Sequence, residues 1–152
     1  RVVETMAKIS EYTCEHGISY IPSVKAREDN GQEVLSCAAL PAAYERRAKA
    51  IVVLASSTDP IASISKFRPS IPIYAFTPNE ETYYQLSLYW GTFAVFAPDI
   101  LTPSRDVFSK IDEKLKGICG LSKGDRVLIE TIENEGSPES AGSGAIFDHV
   151  IS

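Results

Sequence analysis

The 152-residue chain carries 15 basic against 20 acidic residues, a net charge of −5, with 44% hydrophobic and 23% charged residues. That is enough chain for one domain whose core needs no staples. Its acidity argues against nucleic acid and anionic membrane surfaces as partners, since both reward a basic footprint. The longest apolar runs, "AIVVLA" and "FAVFA", are strand-sized and too short to span a bilayer, and no basic-then-apolar leader opens the chain.

Taken in chain order, residues 2–16 place Val2, Met6, Ile9 and then Tyr12 or Thr13 on one helical stripe, with Gly17 as a stop. The chain opens at Arg1 directly into this pattern, which reads as the start of a piece of something longer. Residues 18–31 mix Pro, charge and Asn-Gly and read as a linker. A second helix is expected from about Gln32 to Arg46 with Val34, Leu35, Ala38, Ala39 and Ala42 on one face. Pro41 inside it should kink or split it.

A regular rhythm follows. "AIVVLA" (50–55) is a continuous apolar run of the kind buried on both faces of a parallel sheet. Residues 59–67 space Ile61, Ile64 and Phe67 as a helix, and 71–76 form a second strand. Residues 78–90 are a helix with Glu80 and Glu81 in the first turn, where they complement the dipole. Residues 91–97 are a third strand. Residues 102–119 are a helix with Val107, Ile111, Leu115 and Ile118 inward and Gly120 as terminator. A strand at 125–132, an acidic Gly/Ser/Pro-rich loop at 133–144 and a final strand at 145–151 complete the chain. Strands alternating with helices demand right-handed crossovers. The expected fold is a three-layer α/β/α domain around a mostly parallel five-stranded sheet, with the last strand antiparallel because no helix precedes it.

Chemistry-bearing residues are sparse. Cys14, Cys37 and Cys119 have neither CxxC spacing nor a nearby histidine cluster and read as buried or partly buried thiols in a reducing compartment. His16 and His149 lie at opposite ends of the chain, so a histidine site would have to be assembled by the fold. The acidic cluster Glu133, Glu135 and Glu139 reads as solvated surface.

Three quoted stretches carry a family resemblance. "KAIVVL", "ISKFRPSIPIYAFTPN" and "QLSLYWG", followed by "KGDRVLI" and the closing strand, resemble the C-terminal domain of pyruvate kinase. "VVETMAKISEYTCE" is similar to the last helix of that enzyme's catalytic barrel. The resemblance covers essentially the whole chain. It divides it into the end of the barrel helix (1–17), a linker (18–31) and a C-terminal-like domain (32–152). It implies a parent that transfers phosphoryl from phosphoenolpyruvate to ADP in glycolysis, with magnesium and potassium as cations. No cofactor is expected in this segment. Such chemistry needs a cation clamp and carboxylate-held metal, and the segment supplies no such constellation, so no catalytic residue and no metal ligand is assigned to it.

The resemblance further implies a regulatory and assembly module. Its partners would be the parent's catalytic barrel, further copies of the chain (a tetramer in the parent family), and a phosphate-bearing effector; neither nucleic acid nor a membrane is expected. The compartment would be cytoplasmic, with a plastid also open. The candidate effector or anion-binding residues are Ser56, Ser57, Thr58, Trp90 and Ser143. A helix start offers free N–H groups and a positive dipole end to an anion. The same residues also read as a cap, with Ser57 or Thr58 at the N-cap, Pro60 early in the helix and Asp59 meeting the dipole from within. Trp90 reads first as a packing residue. Where the family's effector loop often runs Thr-Glu-Ser-Gly-Arg-Ser, this chain has Ala55 to Pro60, with Thr58 for the glycine and Asp59 for the arginine. Repulsion in place of a charge-assisted bond predicts weak or absent fructose 1,6-bisphosphate binding. A free-standing small-anion-binding or interaction module with the same fold remains the alternative, and an independent enzyme at the carboxyl ends of the strands a third.

Overall fold

The computed structural model describes residues 2–16, 31–100, 106–132 and 144–152. Ten elements follow in order: α1 (Val2–His16), α2 (Gly31–Glu45), β1 (Ala50–Leu54), α3 (Asp59–Ser65), β2 (Ile73–Thr77), α4 (Glu80–Leu86), β3 (Thr92–Phe96), α5 (Val107–Ile118), β4 (Arg126–Ile132) and β5 (Gly144–Val150). The linker expected at 18–31 and the acidic loop at 133–144 lie almost wholly outside the described residues.

The five strands form one sheet in the order β3-β2-β1-β4-β5, with β1 parallel to both neighbours and β5 antiparallel to β4. The expected α/β fold is thus present. The chain steps from β1 to β2 to β3 through α3 and α4, then returns past β1 to β4 through α5. A right-handed crossover in each direction puts the two helix sets on opposite faces. The core divides accordingly. Ile51, Val53, Ile61, Ile64, Ile73 and Leu86 pack with Leu40 and Ala43 of α2 on one face. Val52, Leu54, Phe76 and Val127 pack against Ile111 and Leu115 of α5 on the other. Every residue of β1 is buried, as a central parallel strand requires. Each fully buried Ile or Leu contributes about 1.5–3 kcal/mol.

Several expectations need correction. Pro41 does not split α2, which runs unbroken through it. Proline forfeits its own bond to the carbonyl four residues back, and burial of Ala39, Leu40 and Ala43 around it offsets that loss. The buried face of α2 is also rotated from the one expected. Val34 and Ala38 are exposed, whereas Glu33, Ser36, Cys37 and Leu40 are buried. Polar residues on the core side disguised the stripe. The helix beginning at residue 80 ends at Leu86 rather than Trp90, and residues 87–91 are turns, with Gly91 at φ +64°, a backbone that favours glycine. Ile118 is exposed rather than inward, at the last turn of α5.

Among the described side chains of α1, Val2, Val3, Met6, Ile9 and Tyr12 are each more than half exposed. No helix among the described residues is long and apolar enough to cross a membrane.

Candidate functional site

The carboxyl ends of the parallel strands are where open α/β sheets bind ligands, and the loop after β1 lies there. The Ala55 N–H donates to Phe76 O near the end of β2, and Thr82 Oγ1 of α4 donates to Ser56 O at 3.2 Å. These bonds hold Ser56 to Thr58 against the start of α4. Ser56 is exposed, and Ser57 and Thr58 are half-buried.

Thr58 occupies the N-cap position of α3, with Asp59 as the first helical residue and Pro60 just after it. The expected side-chain cap is missing, however. Thr58 sits at φ −82°, ψ −15°, already helical, and its hydroxyl makes no capping bond. A capping side chain reaches back to the N–H groups from extended backbone, which Thr58 does not have. The neighbouring α4 shows the difference: Asn79, at φ −96°, ψ 121°, accepts from the Glu81 and Thr82 N–H groups. Asp59, Glu80 and Glu81, all exposed, stand in the first turns of α3 and α4. Their combined charge opposes an incoming phosphate.

The remaining candidates do not join this loop. Trp90 stands at the opposite end of the sheet, beside Gly91, whose carbonyl accepts from Ile73 at the start of β2. It is not the packing residue expected either, being 56% exposed. Its ring carries the Arg68 guanidinium 5.1 Å from the centroid, a cation–π contact, and Ser65 Oγ donates to its carbonyl. α4 ends at Leu86, and Trp90 lies in the turns that follow it. Ser143 lies outside the described residues. The next residue, Gly144, pairs with Ile132, one step beyond the pairing of Leu54 with Thr131.

Three arrangements went unread in the sequence. An open groove of 610 Å³ wraps the edge strand β3 between Tyr74, Tyr83, Tyr84, Phe93 and Cys119, with the Tyr74 and Phe93 rings 5.5 Å apart. Burial pushes the Cys119 thiol up to about 11, so it is a poor nucleophile. Asp112, buried on α5, accepts from Ser152 N and Oγ and pairs with His149 Nε2 at 2.7 Å. Burial alone would raise its pKa, but the Ser152 and His149 bonds outweigh it and hold the carboxyl below its usual value. Ser152 bonds Asp112 rather than His149, so this is a structural clasp and not a nucleophile–base pair. Finally, Glu130 is fully buried on β4 beneath α2, with Ser36 Oγ donating to it at 3.1 Å. The only sequence signal for it was a charged residue inside an apolar strand.

The comparisons with known proteins agree with the architecture. Residues 33–141 match the family model of the pyruvate kinase alpha/beta domain. Pyruvate kinase from Agaricus bisporus is 36% identical over 106 residues, 64% of this chain and 20% of that enzyme. The Corynebacterium glutamicum enzyme is 26% identical over 153 residues, 98% of this chain and 30% of that enzyme. A solved structure described as Cryptosporidium parvum pyruvate kinase in complex with ADP superposes with a TM-score of 0.69 at 23% identity, covering 87% of this chain and 25% of that one. The chain therefore spans between a fifth and a third of these relatives. With the family model matched over most of its length and the sheet order, crossovers and antiparallel last strand in place, the chain belongs to the pyruvate kinase C-terminal alpha/beta domain family.

Proposed function

We propose that the chain is the regulatory and assembly portion of a pyruvate kinase and does not itself transfer phosphoryl groups. The carrying observation is the carboxyl end of the sheet, where an effector would sit and where Asp59, Glu80 and Glu81 stand exposed around the Ser56–Thr58 loop. A sugar bisphosphate brought there meets exposed carboxylates instead of a guanidinium, exchanging a charge-assisted bond for like-charge repulsion. The loop is thus a degenerate effector site, and fructose 1,6-bisphosphate binds weakly or not at all. Phosphoryl transfer from phosphoenolpyruvate to ADP would belong to the barrel of the parent. Magnesium and potassium would act there as well, since phosphoryl transfer needs a cation clamp around the phosphate.

The exposed apolar stripe of α1 supports the assembly part of this reading. Val2, Met6, Ile9 and Tyr12 present a contiguous apolar face of the sort that marks an interaction surface. In the parent it would be covered by the barrel, and in the 152-residue chain it would drive self-association. A coupled assay supplying phosphoenolpyruvate, ADP, magnesium and potassium to the purified chain should yield no pyruvate above background. Light scattering should give a mass above that of a monomer, which Met6→Glu with Ile9→Glu reduces. Turnover by the chain, or a monomer unaffected by those substitutions, contradicts the proposal.

A further inference from the structure

Glu130 is an ionisable residue placed where the fold offers it little compensation. Its side chain is fully buried on the face of β4 that packs under α2. Ser36 donates to Oε1, and Oε2 has no hydrogen-bond partner among the described residues. The groups around it do not neutralise it. From α2 come the carboxylate of Glu33 and the thiol of Cys37, and from the end of α3 comes the Lys66 ammonium, which is already bound to Glu33. Opposite Glu130 on β1 is Val53 and on β5 is Ile146, neither of them ionisable. Farther along the same strands, Arg126 is paired with Asp148, which also holds Arg46. An ionised Glu130 would therefore be a second negative charge, with Glu33, around Cys37, and without a cation of its own among the described residues.

We propose that Glu130 is a proton-operated latch on α2: with its carboxyl neutral, α2 beds against β4, and with it ionised, the uncompensated charge loosens α2 from the sheet. The thermodynamics agree in sign. Burial raises the Glu130 pKa from 4.5 to about 7, and the Ser36 bond, pulling the other way, does not offset it. The folded chain thus holds this proton more tightly than the unfolded chain does. The docked state is fully stabilised below about pH 4.5, loses stability as the pH rises toward 7, and changes no further above it. Cys37, on the same turn of α2 as Ser36, is pushed upward by burial first and then by the charge of Glu33, with Glu130 adding to it and Lys66 opposing. Its thiol shares the environment that the latch controls.

The test is hydrogen exchange of the α2 amides in the 152-residue chain at pH 6 and pH 8, corrected for intrinsic exchange. It is run beside Glu130→Gln and Glu130→Leu, with the Glu130 carboxyl carbon followed by NMR. In the unaltered chain the α2 amides should exchange about tenfold faster at pH 8, the effect of one pKa unit, with the carboxyl titrating near 7. Both variants should be flat with pH. If Glu130→Gln does not fold, Glu130→Leu carries the comparison, because an apolar side chain of similar volume removes the charge without leaving a buried amide unpaired. An unaltered chain as flat as the variants, or a Glu130 carboxyl titrating near 4.5, overturns the latch.

Discussion

The first residues of α3 and α4 lie side by side at the carboxyl end of the sheet, joined by the bond from Thr82 to the Ser56 carbonyl, yet the two helices begin differently. α4 starts from an extended Asn79 whose side chain satisfies two backbone N–H groups. α3 starts from a Thr58 already in helical conformation, with no capping bond from its hydroxyl and a proline following. Proline lacks an N–H, so α3 has one fewer donor to satisfy. The comparison teaches that α3 is shaped by a loop whose backbone follows other needs than capping, whereas α4 is closed by local chemistry. On the proposed reading, what would keep an anion off the α3 loop is charge, through the exposed Asp59, Glu80 and Glu81, because the Thr58 hydroxyl is not occupied by a cap.

Breaking that difference should have graded effects. The largest is expected from Thr58→Gly combined with Asp59→Arg, which restores close backbone approach and turns repulsion into a charge-assisted bond. Fructose 1,6-bisphosphate affinity should rise about 100-fold, since such a bond is worth roughly 1.5–3 kcal/mol and the lost repulsion adds to it. A calorimetric titration of the double variant reads this directly. A smaller effect is expected from Asn79→Ala, which removes the cap of α4 and should lower unfolding stability by about 1 kcal/mol in urea. The smallest is Thr58→Ala, which removes no capping bond and should stay within about 0.5 kcal/mol. If Thr58→Ala costs as much as Asn79→Ala, the two helix starts are equivalent and the contrast fails.

The sheet was readable in the sequence because its signals are local and strong. "AIVVLA" is a run of the kind buried on both faces of a parallel sheet, and the absence of a helix before the last strand pointed to its antiparallel direction. The start of α4 was readable to within two residues, since Glu80 and Glu81 were expected in a first turn and the helix begins at Glu80, after Asn79 as its cap. What escaped was set by tertiary packing. The buried face of α2 carries Glu33, Ser36 and Cys37, so hydrophobic periodicity pointed to the wrong side of the helix. Trp90 resembled an anchor on the end of a helix, but α4 stops one turn early and leaves it stacked with Arg68 at the far end of the sheet from Ser56. The cluster of Asp112, His149 and Ser152 joins residues 37 and 40 positions apart, a separation no motif reveals. Buried Glu130 was legible only as an anomaly within a strand, and its partner Ser36 lies 94 residues away.

The most direct test of the functional reading is calorimetric titration of the unaltered 152-residue chain with fructose 1,6-bisphosphate at neutral pH. The account predicts no saturable heat below millimolar ligand, because the Ser56–Thr58 loop meets the phosphates with Asp59 and its acidic neighbours. A saturable heat with a micromolar Kd, abolished by substitution within Ser56–Thr58, would contradict it.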